Sequence, residues 1–367
     1  MSKCIMLGTD VHDATLVVKM AVDTEKPETQ RYDNNLRGRR QLWRALKAIV
    51  KKQGCDRVVM AYEASCQGFG LYDEAREEGL ECYVLAPTKI ARSVQHLRRK
   101  TDEEDAQRLF EVVRGHVLAG NELPTVTVPD LTTREDREIT RARQDVSEKM
   151  TSLKTQVQTL LKRHGLCRPK VSGKGWTKSF EAWLQGQAGE SSALPYGVRV
   201  ALATLLRQKE AIEKEIELLD REVEILSGQK RYAGPVEALI AVSGVGVLTA
   251  MLLLTELGDL SRFTSRKQIG AYLGLVPSSN ESGKSGDRKG HITHQGLWRV
   301  RRALCQCTWA RVRTNPEAKA AYARIVARNP KHKKIAVVAM MRRLAVLLWH
   351  IGLDAQQRNA CFAREAV

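Results

Sequence analysis

The stretch Thr101–Gly115, TDEEDAQRLFEVVRG, sets four acidic residues in consecutive positions at the head of an apolar run. Thr101 is placed to cap a helix, and Leu109, Val112 and Val113 supply its apolar contacts. In that helix Asp102 and Asp105 share one face, while Glu103 and Glu104 turn toward solvent. Alone, the cluster reads as a charged surface. Two segments upstream change that reading. Asp10 closes the apolar run CIMLGTD, and Glu63 closes RVVMAYE, both with strand character. Two strand-end carboxylates facing a helical Asp-x-x-Asp make a set of hard oxygen ligands suited to Mg²⁺. Two such ions about 4 Å apart activate an attacking oxygen and stabilise the leaving oxygen at a phosphate.

The surrounding pattern predicts an α/β layer domain over residues 1–130. LVVKMAVD pairs naturally with the first strand, and ECYVLAP supplies another that stops at Pro87. LRGRRQLWRALKAIVKKQG is an amphipathic helix ending at Gly54, and GFGLYDEAREEG is a shorter one. Helices between apolar strands imply a layered sheet, and Pro124 and Pro129 punctuate its end.

Residues 131–228 carry two long heptad-like stripes. Ile139, Val146, Met150, Leu153, Val157 and Leu160 form the first, with Arg143 in one seam position. Leu205, Ile212, Ile216, Leu219, Val223 and Leu226 form the second, interrupted by Lys209. Neither stripe is buried by its own helix, which predicts a coiled-coil hairpin and a homo-oligomer, dimer or tetramer. Trp176, Phe180 and Trp183 lie between them as a helix or cap at the hairpin's far end. Residues 229–367 open with VEALIAVSGVGVLTAMLLLTELGDL, a helix-hairpin-helix-like pattern around Gly244–Gly246. GLVPSSNESGKSGDRKGHITHQG follows, polar and glycine-rich, and predicts a long surface loop. Helices are expected from about Leu297 onward.

Charge narrows the class of partner. The net charge is +18, and between Gly283 and Arg343 sixteen Lys and Arg residues face only Asp287 and Glu317, which is +14 of that total. Such a field favours a polyanion, with Lys284, Arg288, Lys289, Arg299, Arg301, Arg302, Lys331, Lys333 and Lys334 as candidates for neutralising a nucleic-acid backbone. The stretch MSKCIMLGTD lacks an apolar signal segment, and IAVVAMMRRLAVLLWHIG is broken by Arg342 and Arg343, so no membrane association is expected. Eight scattered cysteines form no zinc pattern and read as reduced and structural.

At this point the chain resembles a known family. The acidic N-terminal pattern resembles the RuvC-like nuclease fold, a relative of ribonuclease H. Arg262-Phe263 followed by LGLVPSSNESG resembles the transposase domain of DEDD insertion-sequence transposases, some of which use a structured bridge RNA. The likeness runs in order along almost the whole chain. It implies an α/β plus α architecture: a RuvC-like domain, a long coiled-coil hairpin and a mainly helical C-terminal transposase domain. It also implies that Asp10, Glu63, Asp102 and Asp105 hold Mg²⁺ and that Ser282 in NESG is a covalent nucleophile. Among the neighbouring hydroxyls, Ser243, Ser278, Ser279 and Ser285 are rivals, and only the ESG match separates them. His291 and His294 stay outside the catalytic set, and Asp13 is an auxiliary acid at most.

The expected function is therefore a Mg²⁺-dependent transposase that cuts and rejoins donor and target DNA, guided by bridge RNA. A cytoplasmic, nucleoid-associated location in a prokaryote goes with it. A metal-dependent nuclease resolving branched DNA is the first alternative, and a non-enzymatic nucleic-acid scaffold the second.

Overall fold

The computed structural model describes residues 3–90, 101–170, 173, 175–282, 285–293, 295–328 and 330–365, with backbone alone at 279–282, 285–289, 360 and 362–365. They form two compact units, Met1–Val128 and Pro129–Val367.

The first unit is built on a five-stranded sheet of β1 (Lys3–Val11), β2 (Thr15–Val22), β3 (Glu28–Asp33), β4 (Cys55–Glu63) and β5 (Glu81–Leu85). Its order is β3-β2-β1-β4-β5. The first three strands form an antiparallel meander, and β4 and β5 run parallel to β1. The expected strands are all present. β3, the polar stretch ETQRYD, is an addition: as an edge strand with no apolar alternation, it is specified by its pairing with β2.

Side-chain alternation sends the two faces of the sheet to different helices. Ile5 and Leu7 of β1 and Met60 and Tyr62 of β4 pack with Leu42, Trp43 and Leu46 of α1 (Leu36–Gln53) and with Leu71 and Ala75 of α2 (Gly70–Glu77). Cys4, Met6, Val59 and Ala61 point the other way, against Leu109, Phe110 and Val113 of α3 (Asp102–Ala119). Continuing that period of two, Asp10 and Glu63 fall on the α3 face. Gly8, on the same face, lets the helix come down onto the strand. A Cβ there would lie 2.0 Å from the Phe110 nitrogen and 2.6 Å from the Ala106 carbonyl oxygen.

Among the described residues, the regular structure of the second unit is helical apart from one ribbon. α4 (Leu131–Arg163) and α6 (Tyr196–Ser227) pack as an antiparallel hairpin. Arg143 pairs with Asp220 at 2.6 Å near one end, while Val157, Leu160 and Leu161 meet Leu202 and Leu206 toward the other. α5 (Lys178–Ala188) closes that far end with Phe180 and Leu184. Both polar interruptions of the stripes are paired: Arg143 as above, and Lys209 to Glu181 of α5 at 2.8 Å and to Glu213 at 2.5 Å.

Then come α7 (Ala233–Ile240), α8 (Val247–Leu257), α9 (Arg266–Tyr272), α10 (Trp298–Thr314), α11 (Pro316–Arg328) and α12 (Lys333–Glu365). Gly244, with φ +87°, makes the turn before α8, and a Cβ there would meet the α10 backbone at 2.8 Å. By length and composition the stretch Pro330–Asn359 is apolar enough to cross a membrane. Its apolar residues have another use: Val337, Met341, Leu344, Ala345, Leu348 and Trp349 lie in the core with α7, α8, α9 and α10. Glu256 of α8, only 1% exposed, accepts two hydrogen bonds from Arg141 (2.7 and 3.1 Å) and sits 3.7 Å from Arg137.

One expectation is corrected. The segment read as a long surface loop contains an antiparallel ribbon, β6 (Pro277–Ser282) with β7 (Ser285–Ile292). Its strands carry Ser, Asn, Asp, Lys and Arg with no apolar face, so no period-two signal marks them. Backbone pairing from Pro277–Ile292 to Ser282–Ser285 is what makes them strands.

Candidate functional site

The carboxyl ends of the central strands meet the start of α3. Asp10 lies one position beyond the last β1–β4 register pair, Thr9–Tyr62, and Glu63 is the last residue of β4. Thr101 caps α3 by accepting from the Glu104 N–H at 3.3 Å. Asp102, Glu103, Glu104 and Asp105 fill the first turn, where the exposed N–H groups favour negative charge. Glu103 turns out to meet Arg31 at 2.9 Å.

The predicted acids are arranged as two pairs. In the first, the His12 imidazole Nε2 lies 2.9 Å from Asp10 Oδ2 and 3.2 Å from Asp102 Oδ1. One donor atom from each of these three residues fits within a 4.8 Å span. A hard cation about 2.1 Å from each donor puts adjacent ligands about 3 Å apart, so this trio fits a divalent ion. In the second pair, Arg108 Nη2 lies 2.8 Å from Asp105 Oδ1 and 3.1 Å from Glu63 Oε1. Burial pushes the Asp10 carboxyl above the usual carboxylate range; His12 opposes the shift, and Asp105 and Asp102 add to it. A carboxylate held at such a cost is one that a bound cation relieves.

Three residues outside the predicted acidic set shape this site. His12, to which sequence reasoning assigns no role, stands two residues beyond Asp10, just past the end of β1. Arg108 follows Asp105 by one helical turn, so the spacing that pairs Asp102 with Asp105 also brings Arg108 to that face. Gly8 carries no sequence signal for its role, since only the position of α3 reveals it. Asp13 accepts from the Gln67 amide, and a cleft of about 350 Å³ lined by His12, Asp13, Thr15, Ser65 and Gln67 opens beside the trio.

In the second unit, Ser282 ends β6 and its backbone pairs with Ser285. Lys284 and His294, and the side chains of Ser279, Ser282, Ser285, Arg288 and Lys289, lie outside the described residues. Ser278 donates to the His291 carbonyl at 3.1 Å, and the Ser243 hydroxyl lies 2.8 Å from that of Thr314. Among the basic candidates, Arg299 pairs with Asp145 at 2.5 Å and Arg302 with Glu148, tying α10 to α4. Arg301 donates to the Leu273 carbonyl at 2.9 Å. Lys331, Lys333 and Lys334 are exposed around the start of α12.

Comparison with known proteins adds two family matches. A DEDD model of IS110 type, described as "Transposase", matches residues 7–165, which include all four acids. A second, "Transposase IS116/IS110/IS902 family", matches residues 236–323, which include Ser282. The chain is 31% identical to a Sinorhizobium fredii protein described as a transposase, y4qE, over 86% of this chain and 80% of that one. It is 23% identical to an IS110 insertion-element protein of Streptomyces coelicolor over 94% and 93%. A third relative, the transposase for insertion sequence element IS1111A of Coxiella burnetii, is 24% identical over 76% and 74%.

Proposed function

We propose, for a chain that belongs to the IS110 family of DEDD insertion-sequence transposases, a Mg²⁺-dependent DNA strand exchange that proceeds through a serine-linked intermediate. The observation that carries the metal reading is the Asp10–His12–Asp102 trio, with Glu63 and Asp105 beside it on the same helix and sheet. The strand order, with its antiparallel meander and two added parallel strands, supports the RuvC-like assignment of residues 1–130. Within the second unit we assign 131–228 to a coiled hairpin that joins protomers and 229–367 to the transposase domain. The family match at 236–323 supports the latter assignment.

Each group has a task. Asp10, Asp102, Glu63 and Asp105 hold and orient the cation, and His12 fixes the Asp10 and Asp102 carboxylates at ligand spacing. The bound ion supplies charge stabilisation at the scissile phosphate. Ser282 Oγ loses its proton and forms a bond to phosphorus, while the bond to the leaving DNA hydroxyl breaks and that oxygen is protonated. A hydroxyl of the second DNA strand then attacks the same phosphorus and restores Ser282. Lys284, Arg288, Lys289, Lys331, Lys333 and Lys334 neutralise backbone charge. A bridge RNA that selects donor and target by base pairing is part of this reading. Its support is the family resemblance and the basic field.

Cleavage by water at the acidic site alone is the competing reading, favoured by the confinement of that site to the first unit. Mass spectrometry of trapped protein–DNA adducts separates the two. Ser282→Ala is expected to keep DNA binding and lose both adduct and strand exchange. Strand exchange at the wild-type rate by that variant rejects the serine step.

A further inference from the structure

We propose that the outer face of α6 is where a second copy of this chain docks, the two α6 helices packing antiparallel about a two-fold axis at Ala211. This rests on the reading of residues 131–228 as the hairpin that joins protomers, and it names the surface and the direction. α6 carries apolar side chains on two opposite sides. Leu202 and Leu206 pack with Val157, Leu160 and Leu161 of α4, and Val223 and Leu226 enter the core with α7 and α8. Tyr196, Val200, Leu218 and Ile225 leave the helix on the other side and are 45% to 76% exposed. Their spacing puts them in one line. Val200 and Leu218 are 18 residues apart, about five turns; Ile225 stands seven further on, about two turns; Tyr196 lies one turn before Val200. The stripe therefore runs the length of the helix, and a helix apolar on both sides calls for cover on both.

Charge selects the occupant and its direction. From Tyr196 to Gln208, α6 carries Arg199 and Arg207 and no carboxylate, whereas from Lys209 to Ser227 it carries seven carboxylates against three bases. α4 repeats the polarity, since its segment beside the start of α6 holds Lys149, Lys154, Lys162 and Arg163 and no acid. A parallel copy would set acidic half on acidic half; an antiparallel copy sets each basic end on an acidic one. With the axis at Ala211, a small exposed residue, Arg207 faces Glu215 of the second copy, and both are exposed. Leu218 of the second copy then enters the hole between Val200, Ala203, Thr204 and Arg207. Ile225 of the second copy seats between Tyr196 and Val200 over Gly197, where even an added Cβ would meet nothing within 4 Å.

Sedimentation of the full-length protein, with and without DNA, tests this. The wild type is expected to run as an even multiple of the chain. Leu218→Glu combined with Ile225→Glu is expected to halve that mass with unchanged circular dichroism, because both side chains are exposed within one chain. Arg207→Glu and Glu215→Arg each set like charges together and are expected to raise the dissociation constant at least about tenfold. The double exchange restores opposite charges and is expected to recover the wild-type value. An unchanged mass in the Leu218 and Ile225 variant overturns the proposal while the oligomer reading stands. So does a double exchange no tighter than either single, which rejects the antiparallel direction. So does an Arg207→Glu protein of unchanged mass and weakened DNA binding, since nucleic acid is then the occupant of this face. A wild type of single-chain mass under both conditions defeats the oligomer reading itself.

Discussion

An arginine–carboxylate cluster in the second unit and another in the first are built to opposite accounts of charge. Around Glu256, one buried carboxylate faces two arginines, and both of its oxygens are hydrogen-bonded. At the head of α3, four carboxylates face one guanidinium and one imidazole. The first cluster is saturated and joins α8 to α4. The second carries negative charge in excess at strand ends, and burial, with Asp105 and Asp102 adding to it, raises the Asp10 pKa. Charge left over at an edge invites a cation, whereas charge balanced in a core holds helices together.

Glu256→Gln should break the contrast most severely. It leaves Arg137 and Arg141 against a neutral group in a buried site, and a loss of about 3–5 kcal/mol in unfolding free energy is expected in urea titrations. Asp102→Asn, at a position 44% exposed, should change stability by no more than about 0.5 kcal/mol while blocking strand exchange. Similar stability losses for the two would erase the distinction between them.

Gly8→Ala comes next. Its Cβ would press on the Phe110 backbone, where no side chain can swing aside, so α3 must move. Overpacking of this kind costs about 1–3 kcal/mol. Because α3 carries Asp102 and Asp105, Mn²⁺ affinity should fall with it, in a way that a core truncation such as Val113→Ala does not reproduce. Destabilisation without weaker metal binding would uncouple the helix seat from the site.

The smallest effect concerns Asp10 in metal-free buffer. Its carboxyl binds a proton more tightly in the folded chain than in the unfolded one, chiefly through burial. The ionised group therefore disfavours folding at neutral pH, a cost that lessens as pH falls through the raised pKa and vanishes below the ordinary Asp range. Asp10→Asn should accordingly melt above the wild type at pH 7 in a chelator, with the difference closing on acidification. A difference that is flat with pH, or of the opposite sign, would mean that Asp10 is not strained by burial.

Sequence periodicity by itself was enough to put Asp10 and Glu63 at strand ends, to set Asp102 and Asp105 on one helical face behind a Thr cap, and to mark the paired stripes of α4 and α6. These features are local, because a period of two or 3.6 decides which way a side chain leaves the backbone. The tertiary structure alone decided the rest, for reasons that involve partners distant in the chain. β3 and the β6–β7 ribbon have no apolar face to announce them and exist through their pairing. Arg299 and Arg302, read as part of a basic field, meet Asp145 and Glu148, more than 150 positions earlier. Gly8 matters only because Phe110 lies on top of it. Arg108 looks like one charge among many until the sheet brings Glu63, 45 residues upstream, within 3.1 Å of its guanidinium. Local chemistry sets which faces carry charge; only long-range packing decides which of those charges remain unmatched.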